Sequence, residues 1–167
     1  AGISNNYHSE LFEKRFINHT ILPEVGYNLD QWYSYQLSYQ YGRNFDSDLR
    51  MLIFRSRMKP LNNLSLEYRF RHARLIPDPL SRNTIQNVLV TDYNFTRDFY
   101  LQLFTQSNSQ NNRFYLYGLL GWRFMPPFGA LYLAYTADYF DDNNTIMSIT
   151  KERNRTLFIK LTVPVTI

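Results

Sequence analysis

Bulky and small polar side chains alternate one by one along much of this chain. The clearest case runs from Trp32 to Tyr41. Because successive side chains of an extended chain point to opposite faces, this pattern predicts a β-strand with two different faces. The bulky positions are Tyr33, Tyr35, Leu37, Tyr39 and Tyr41, and they alternate with Trp32, Ser34, Gln36, Ser38 and Gln40.

The same period of two recurs about eight times along the chain, and the links between the repeats are alternately short and long. The links at 59–63, 96–98 and 125–129 are short, and the first and last contain the turn-forming residues Pro60, Pro126, Pro127 and Gly129. The links at 43–47, 74–83, 107–112 and 139–154 are polar and mostly longer. The predicted strands are 31–42, 48–58, 64–73, 84–95, 99–106, 113–124, 130–138 and 155–163.

The alternation favours a membrane wall over a soluble barrel such as a lipocalin. A bilayer admits only helices or closed barrels, and no run here approaches 18 consecutive apolar residues. With 14 Tyr and 13 Phe the chain is rich in the aromatic residues that form interfacial girdles. Lys is scarce, whereas the water-facing side of a soluble barrel would normally be rich in Lys and Glu.

We therefore predict an all-β, transmembrane, antiparallel up-and-down β-barrel of about eight strands, either complete or part of a larger barrel. Residues 31–167 form its strands, and residues 1–30 form an N-terminal extension or an extra strand. Residues 7–17 could be that strand or a short helix with Leu11, Phe12 and Phe16 on one side. Short periplasmic turns and longer external loops would leave the C-terminus periplasmic, in the bacterial outer membrane.

Strand parity assigns side chains to the lumen or to the lipid. Charge on the lipid face is costly, so the charged alternates are expected to point inward. If residues 59–63 form the turn, Arg55 lies opposite Glu67 and Phe54 lies opposite Tyr68. The predicted lumen-lining residues are Arg55, Arg57, Glu67, Arg69, Arg71, Arg113, Arg123 and Lys160. The predicted aromatic girdle residues are Tyr33, Tyr41, Tyr93, Phe95, Trp122, Phe124 and Tyr135.

Candidate chemistry is sparse. His8 and Ser9 resemble the base and nucleophile of an outer-membrane lipid hydrolase, but neighbours on a strand point to opposite faces and would not pair. His19 and His72 have no second ligand at metal spacing. A loop calcium site is an alternative to a solvated loop, although the spacing is not that of an EF-hand. Its candidate ligands are Asp138, Asp141, Asp142, Asn143 and Asn144. We predict no enzyme activity, cofactor or resident metal.

The formal net charge of +4 does not indicate nucleic-acid binding, because the basic residues are spread over the strands. Arg43, Arg74 and Arg82 fall at predicted external strand ends, where anionic outer-membrane lipid or lipopolysaccharide is the expected partner. The six arginines among the predicted lumen-lining residues could favour anionic solutes, or they could pair with Glu67, Asp92 and similar acids in a luminal network.

Four short segments stand out between residues 44 and 161, namely 44–50 (NFDSDLR), 93–98 (YNFTRD), 120–124 (LGWRF) and 154–161 (NRTLFIKL). Through these segments this part of the chain resembles a family of outer-membrane barrel domains of unknown function. In that family the domain follows a carbohydrate-binding, family-9-like module in large Gram-negative envelope proteins, so the resemblance implies a module upstream. The expected function is a non-enzymatic outer-membrane barrel, acting as a channel or uptake component or as the anchor of an assembly with other envelope subunits. A lipid-modifying hydrolase is the alternative.

Overall fold

In the computed structural model of the chain, the described residues form one antiparallel β-sheet and no helix. The structure describes residues 2–11, 14–44, 47–77, 83–110, 112–141 and 151–164, with the backbone alone for 2–11, 14–18, 44, 140–141 and 151–153. The strands are β1 Gly2–Leu11, β2 Lys14–Leu22, β3 Glu24–Tyr27, β4 Ser34–Asn44, β5 Ser47–Leu61, β6 Leu64–Ile76, β7 Thr84–Asn94, β8 Phe99–Asn108, β9 Arg113–Met125, β10 Gly129–Asp141 and β11 Lys151–Thr162.

Strands that follow one another in sequence are neighbours in the sheet, which gives an up-and-down order. The order is β1-β2-β4-β5-β6-β7-β8-β9-β10-β11, and β3 also pairs with β4. Among the described residues no pairing joins β1 to β11. All-β, antiparallel, up-and-down architecture is thus confirmed.

Strands β2 and β3 act as one interrupted strand beside β4. His19 pairs with Arg43 in β2, and Tyr27 pairs with Tyr35 in β3, so the register along β4 is the same on both sides of the break. The break falls at Pro23, which has no N–H to donate but whose carbonyl still accepts a hydrogen bond from the Tyr39 N–H at 3.0 Å. The sheet therefore consists of ten strand positions, one of them shared by β2 and β3.

All eight predicted strands are present as β4 to β11, and most are a few residues longer than predicted. The N-terminal region, expected to be an extension, one strand or a helix, contributes β1, β2 and β3 instead. The strand predicted over 31–42 begins later, at Ser34. Tyr33 lies outside β4 because its backbone adopts the left-handed region, with a φ of 65°.

The register between β5 and β6 differs from the expectation by two residues. Arg57, not Arg55, lies opposite Glu67, and Phe54 lies opposite Phe70. An irregularity between Met58 and Leu61 extends both strands, so that Leu61 pairs with Leu64 around a short turn. A shift of two residues keeps every side chain on its predicted face.

The described side chains do not form a conventional hydrophobic core. The buried apolar residues among them are Met51, Ala130 and Ala137, and no large side chain is fully buried. Small polar residues are buried instead, namely Ser34, Ser38 and Ser56. Among the described residues, none belongs to a helix of the length and apolarity needed to cross a bilayer.

Gly42 is required where β2 joins β4. A Cβ atom at this position would lie 1.9 Å from the backbone oxygen of His19, far inside contact distance. The backbones can approach only because glycine has no side chain, so this residue fixes the junction between the N-terminal strands and the rest of the sheet.

Candidate functional site: a polar sheet face with an arginine ladder

The strand registers divide the described side chains of β4 to β11 into two faces of opposite character. Cross-strand partners share a face, so each face can be traced from strand to strand through the pairings. The polar face is carried by Ser34, Gln36, Ser38, Arg55, Arg57, Glu67, Arg69, Arg71, Gln86, Gln106, Arg113, Tyr115, Tyr117, Thr136, Asp138 and Lys160, with their partners. The apolar face is carried by Tyr35, Leu37, Tyr39, Phe54, Tyr68, Phe70, Leu89, Leu103, Leu116, Leu120, Leu133, Tyr135, Leu157, Ile159 and Leu161.

Four arginines of β5 and β6 form a ladder on the polar face. Arg57 lies opposite Glu67, Arg55 opposite Arg69, and Arg71 opposite Ile53. Successive levels are two residues apart along each strand, which is about 6.6 Å. We call Arg55, Arg57, Arg69 and Arg71 the arginine ladder.

The partners of the arginine ladder are mostly neutral. Arg55 Nη1 donates to Gln36 Oε1 at 3.3 Å, and Arg71 Nε lies 2.9 Å from Met51 Sδ. Arg69 Nη2 is 3.3 Å from Glu67 Oε2 and is the only one of the four in an ion pair within the described part of the chain. Even that pair is solvent-exposed and weak.

Arg57, the ladder residue nearest the β5–β6 turn, forms hydrogen bonds with β4 and with the segment that precedes β4. Its Nε donates to Ser34 Oγ at 3.3 Å, and its Nη2 donates to the backbone oxygen of Leu29. The four guanidinium groups thus face one carboxylate on β5 and β6. Of the predicted pairing of arginines with Glu67 and Asp92, the Arg69–Glu67 contact is present, whereas Asp92 accepts a hydrogen bond from Ser65 at 3.5 Å.

A cavity of about 490 Å³ opens beside the ladder. Such a volume is large enough for a small organic ligand. Its walls combine cationic groups with serine and amide side chains, a set of hydrogen-bond donors that suits an anion. The lining residues are Leu29, Ser34, Gln36, Arg55, Ser56, Arg57, Glu67 and Arg69.

Elsewhere on the same polar face, on β9, the Arg113 guanidinium is bound by a carboxylate of the neighbouring strand β10. Its Nε is 2.9 Å from Asp138 Oδ1 and its Nη2 is 2.6 Å from Asp138 Oδ2, a bidentate arrangement. Asp138 was a candidate calcium ligand, but its oxygens bind this guanidinium from within β10. Of the other candidates, Asp142, Asn143 and Asn144 lie outside the described residues, and only the backbone of Asp141 is described.

The two remaining predicted lumen residues differ in role. Arg123 keeps the parity of the polar face, but its side chain reaches the β7–β8 turn, where Nε is 3.3 Å from Asp98 Oδ1 and Nη2 donates to the Arg97 oxygen at 2.6 Å. This arginine therefore braces a turn. Lys160, on β11, lies opposite Tyr132 of β10 and is exposed.

Most of the predicted girdle residues lie near strand ends and contact other aromatic rings. Tyr93 packs edge-on against Phe95, with ring centroids 4.7 Å apart, and Phe95 stacks on Phe99 at 4.6 Å. Trp122 contacts Phe124 at 5.8 Å. Tyr33 donates from its hydroxyl to the Lys59 oxygen at the same end. These rings share the end of the sheet that carries the short turns.

At the opposite end, Tyr41 lies under a guanidinium, because Arg50 Cζ is 6.0 Å from its ring centroid. Tyr135 does not fit the girdle prediction. It occupies the centre of β10, opposite Gly118 and Leu157, so it is far from either strand end.

The residues considered for catalysis or metal binding are not brought together. His8 and Ser9 fall in β1, and their side chains are outside the described part of the structure. His19 lies opposite Arg43, and His72 lies opposite Leu52 and Ile85. Among the described residues, no group of three His, Cys, Asp or Glu side chains could hold a metal ion.

Sequence reasoning missed the neutral partners of the ladder, Gln36, Ser34 and the Leu29 carbonyl. The alternation in β4 did mark the two side chains as polar-face positions, but the register that aligns them with arginines depends on the connection between β4 and β5, where Asn44 pairs with Ser47. No protein-family model matches this chain, and no curated protein matches it in sequence.

Proposed function

We propose that this chain is a non-enzymatic integral barrel of the bacterial outer membrane, whose polar interior admits small anionic solutes. In this arrangement the apolar face meets lipid and the arginine ladder lines the lumen. The C-terminus lies on the periplasmic side, with the short turns.

The observation that carries the membrane assignment is an exposed apolar face without a packed core behind it. Trp122 is 49% exposed, Tyr39 41% and Leu161 62%, although all three are large apolar or aromatic side chains. The largest apolar patch of a typical soluble monomer is about 300–600 Å². A face of this kind that runs across eight strands is unfavourable in water and favourable in lipid.

The strand number supports closure. Ten strand positions are an even number, so β1 and β11 would run antiparallel if they met. Eight strands enclose a lumen that side chains fill, and each additional pair of strands widens it. The cavity beside the ladder, with its small Ser34 and Ser56 side chains, suits a lumen that is only partly filled.

Two experiments test the proposal. Chain refolded into phosphatidylcholine vesicles should show a far-ultraviolet dichroism spectrum of β-structure and heat-modifiable gel migration. In planar bilayers it should then conduct, with a reversal potential under a KCl gradient that favours chloride. Solubility and folding without detergent or lipid would contradict the membrane assignment, and a folded but silent protein would contradict the channel.

A second candidate, a wall segment or anchor in an envelope assembly, is favoured by the edge strand β11. Among the described residues β11 pairs only with β10, so its other backbone edge is unpaired. Leu157 is 64% exposed and Phe158 is 59% exposed, so both of its faces are apolar and uncovered as well. An unpaired edge with apolar side chains is a site for pairing with another strand. Folded protein that is silent in bilayers and sediments as an oligomer in detergent would favour this candidate.

A further inference from the structure

Strands β5 and β6 carry two pairs of directly opposed arginines, one on each face of the sheet. Arg55 lies opposite Arg69 on the polar face, and Arg50 lies opposite Arg74 on the apolar face. Like charges directly opposite one another destabilise a sheet. The first pair has Glu67 and Gln36 beside it. The second pair lies where the proposed membrane would be, so it requires a separate explanation.

The height of Arg50 on the strand explains how a charge can occur on this face. From Arg50 to Leu61 at the short turn, β5 advances about 36 Å, at about 3.3 Å per residue. With a strand tilt of about 35–45° this corresponds to about 25–30 Å along the membrane normal, the height of the apolar band of a barrel. Arg50 and Arg74 therefore lie at its upper boundary, level with Tyr41.

The pair has no anionic partner among the described residues. Arg50 stacks over the Tyr41 ring, and both arginines are exposed. Arg43, next in the same region of the face, lies opposite Asp48, so three cations share one nearby carboxylate. Neither Arg50 nor Arg74 forms an ion pair within the described part of the chain.

We propose that Arg50 and Arg74, beside Tyr41, bind the phosphate of a lipid headgroup in the outer leaflet, an inference that rests on the proposed membrane function. Guanidinium groups match phosphate oxygens with bidentate hydrogen bonds, and one phosphate between the two arginines would offset their repulsion. Below the pair the same face continues with Leu52, Phe54 and Phe70. Acyl chains would pack there, so the site favours a lipid over free phosphate.

The experiment compares two variants that remove the same charges from the same two strands. Arg50→Gln/Arg74→Gln empties the proposed site, and Arg55→Gln/Arg69→Gln is the matched control on the opposite face. Each protein is refolded in phosphatidylcholine vesicles, transferred to detergent, and titrated with phosphatidic acid, with phosphatidylcholine, and with inorganic phosphate. Native mass spectrometry counts the bound lipids.

Wild-type protein and the control should bind phosphatidic acid in preference to phosphatidylcholine, and Arg50→Gln/Arg74→Gln should bind it about 30-fold more weakly. Inorganic phosphate should not compete at equal concentration. The single variants Arg50→Gln and Arg74→Gln give the same reading, at about fivefold each, if the double variant does not fold.

Equal loss in both double variants, or equal binding of the two lipids by folded wild-type protein, would overturn the site and leave the barrel intact. Efficient competition by inorganic phosphate would overturn the lipid as its ligand. Failure of wild-type protein to insert into phosphatidylcholine vesicles would instead reject the membrane function, and the site with it.

Discussion

The arginine ladder and the Arg113–Asp138 pair occupy the same face of one sheet, yet they satisfy their charges in different ways. Arg113 donates two short hydrogen bonds to one carboxylate on the next strand. The ladder places four guanidinium groups on two adjacent strands with Glu67 as their nearby carboxylate, 3.3 Å from Arg69 alone. The Arg113–Asp138 pair therefore has no net charge, whereas the arginine ladder has a net positive charge and is exposed.

The difference separates a structural charge from one that is available to a ligand. A bidentate, partly buried ion pair fixes two strands relative to each other and has no net charge to offer. Arginines that bond to a serine, an amide and a thioether keep their full positive charge. If solutes interact with the polar face, we expect them to do so at β5 and β6 and not at β9 and β10.

If the proposed membrane arrangement is correct, the arginine ladder and the Arg113–Asp138 pair both face water, and the reverse side of the sheet faces lipid. Leu133 lies on that reverse side, between Leu120 and Ile159, whereas Thr136 lies on the polar face between Tyr117 and Thr156. Leu133→Arg should cost about 2–4 kcal/mol of folding free energy in vesicles, and Thr136→Arg much less. Urea unfolding in vesicles measures both, and equal costs would show that the two faces meet the same solvent.

Removing the carboxylate from each region should have unequal effects on stability. Asp138→Asn removes both charge-assisted bonds to Arg113, so the thermal unfolding midpoint should fall clearly. Glu67→Gln removes one exposed contact of 3.3 Å and should change the midpoint little. A larger fall for Glu67→Gln would mean that the ladder is the structural region.

Ion selectivity should depend on the ladder and not on the matched pair. Arg55→Gln/Arg57→Gln should reduce the preference for chloride over potassium roughly three- to tenfold at low salt, because two unneutralised charges are lost from the proposed lumen. The effect should shrink near 1 M salt, where the Debye length is about 3 Å. Arg113→Gln is the control, and the reversal potential in planar bilayers is the measurement.

The sequence was sufficient to predict which face each ladder residue occupies, because a period of two survives any even shift in register. It was not sufficient to predict the partner of each residue. The turn is tighter than predicted, with Leu61 paired to Leu64, and together with the irregularity between Met58 and Leu61 it moved Glu67 from Arg55 to Arg57. Pro60 marks the irregularity in the sequence, but it does not specify the size of the shift. Asp138 looked like a loop ligand because its partner, Arg113, is distant in the sequence.

The N-terminal strands were difficult to predict for a different reason. Pro23 interrupts the alternation between β2 and β3, and a proline within a run argues against a strand. Only the common register along β4 shows that both segments occupy one strand position. Tyr33 continued the alternation perfectly in sequence, but its positive φ places it in the turn before β4.

The smallest expected effect comes from giving the ladder a carboxylate of its own. Ile53 lies directly opposite Arg71 on the polar face, where Arg71 now contacts Met51. Ile53→Glu should create a cross-strand ion pair and stabilise the fold by roughly 0.2–1 kcal/mol relative to Ile53→Gln. It should also lower the chloride preference, because one level of the ladder then resembles the Arg113–Asp138 pair. A gain in stability without a change in reversal potential would show that Arg71 does not contribute to the field in the lumen.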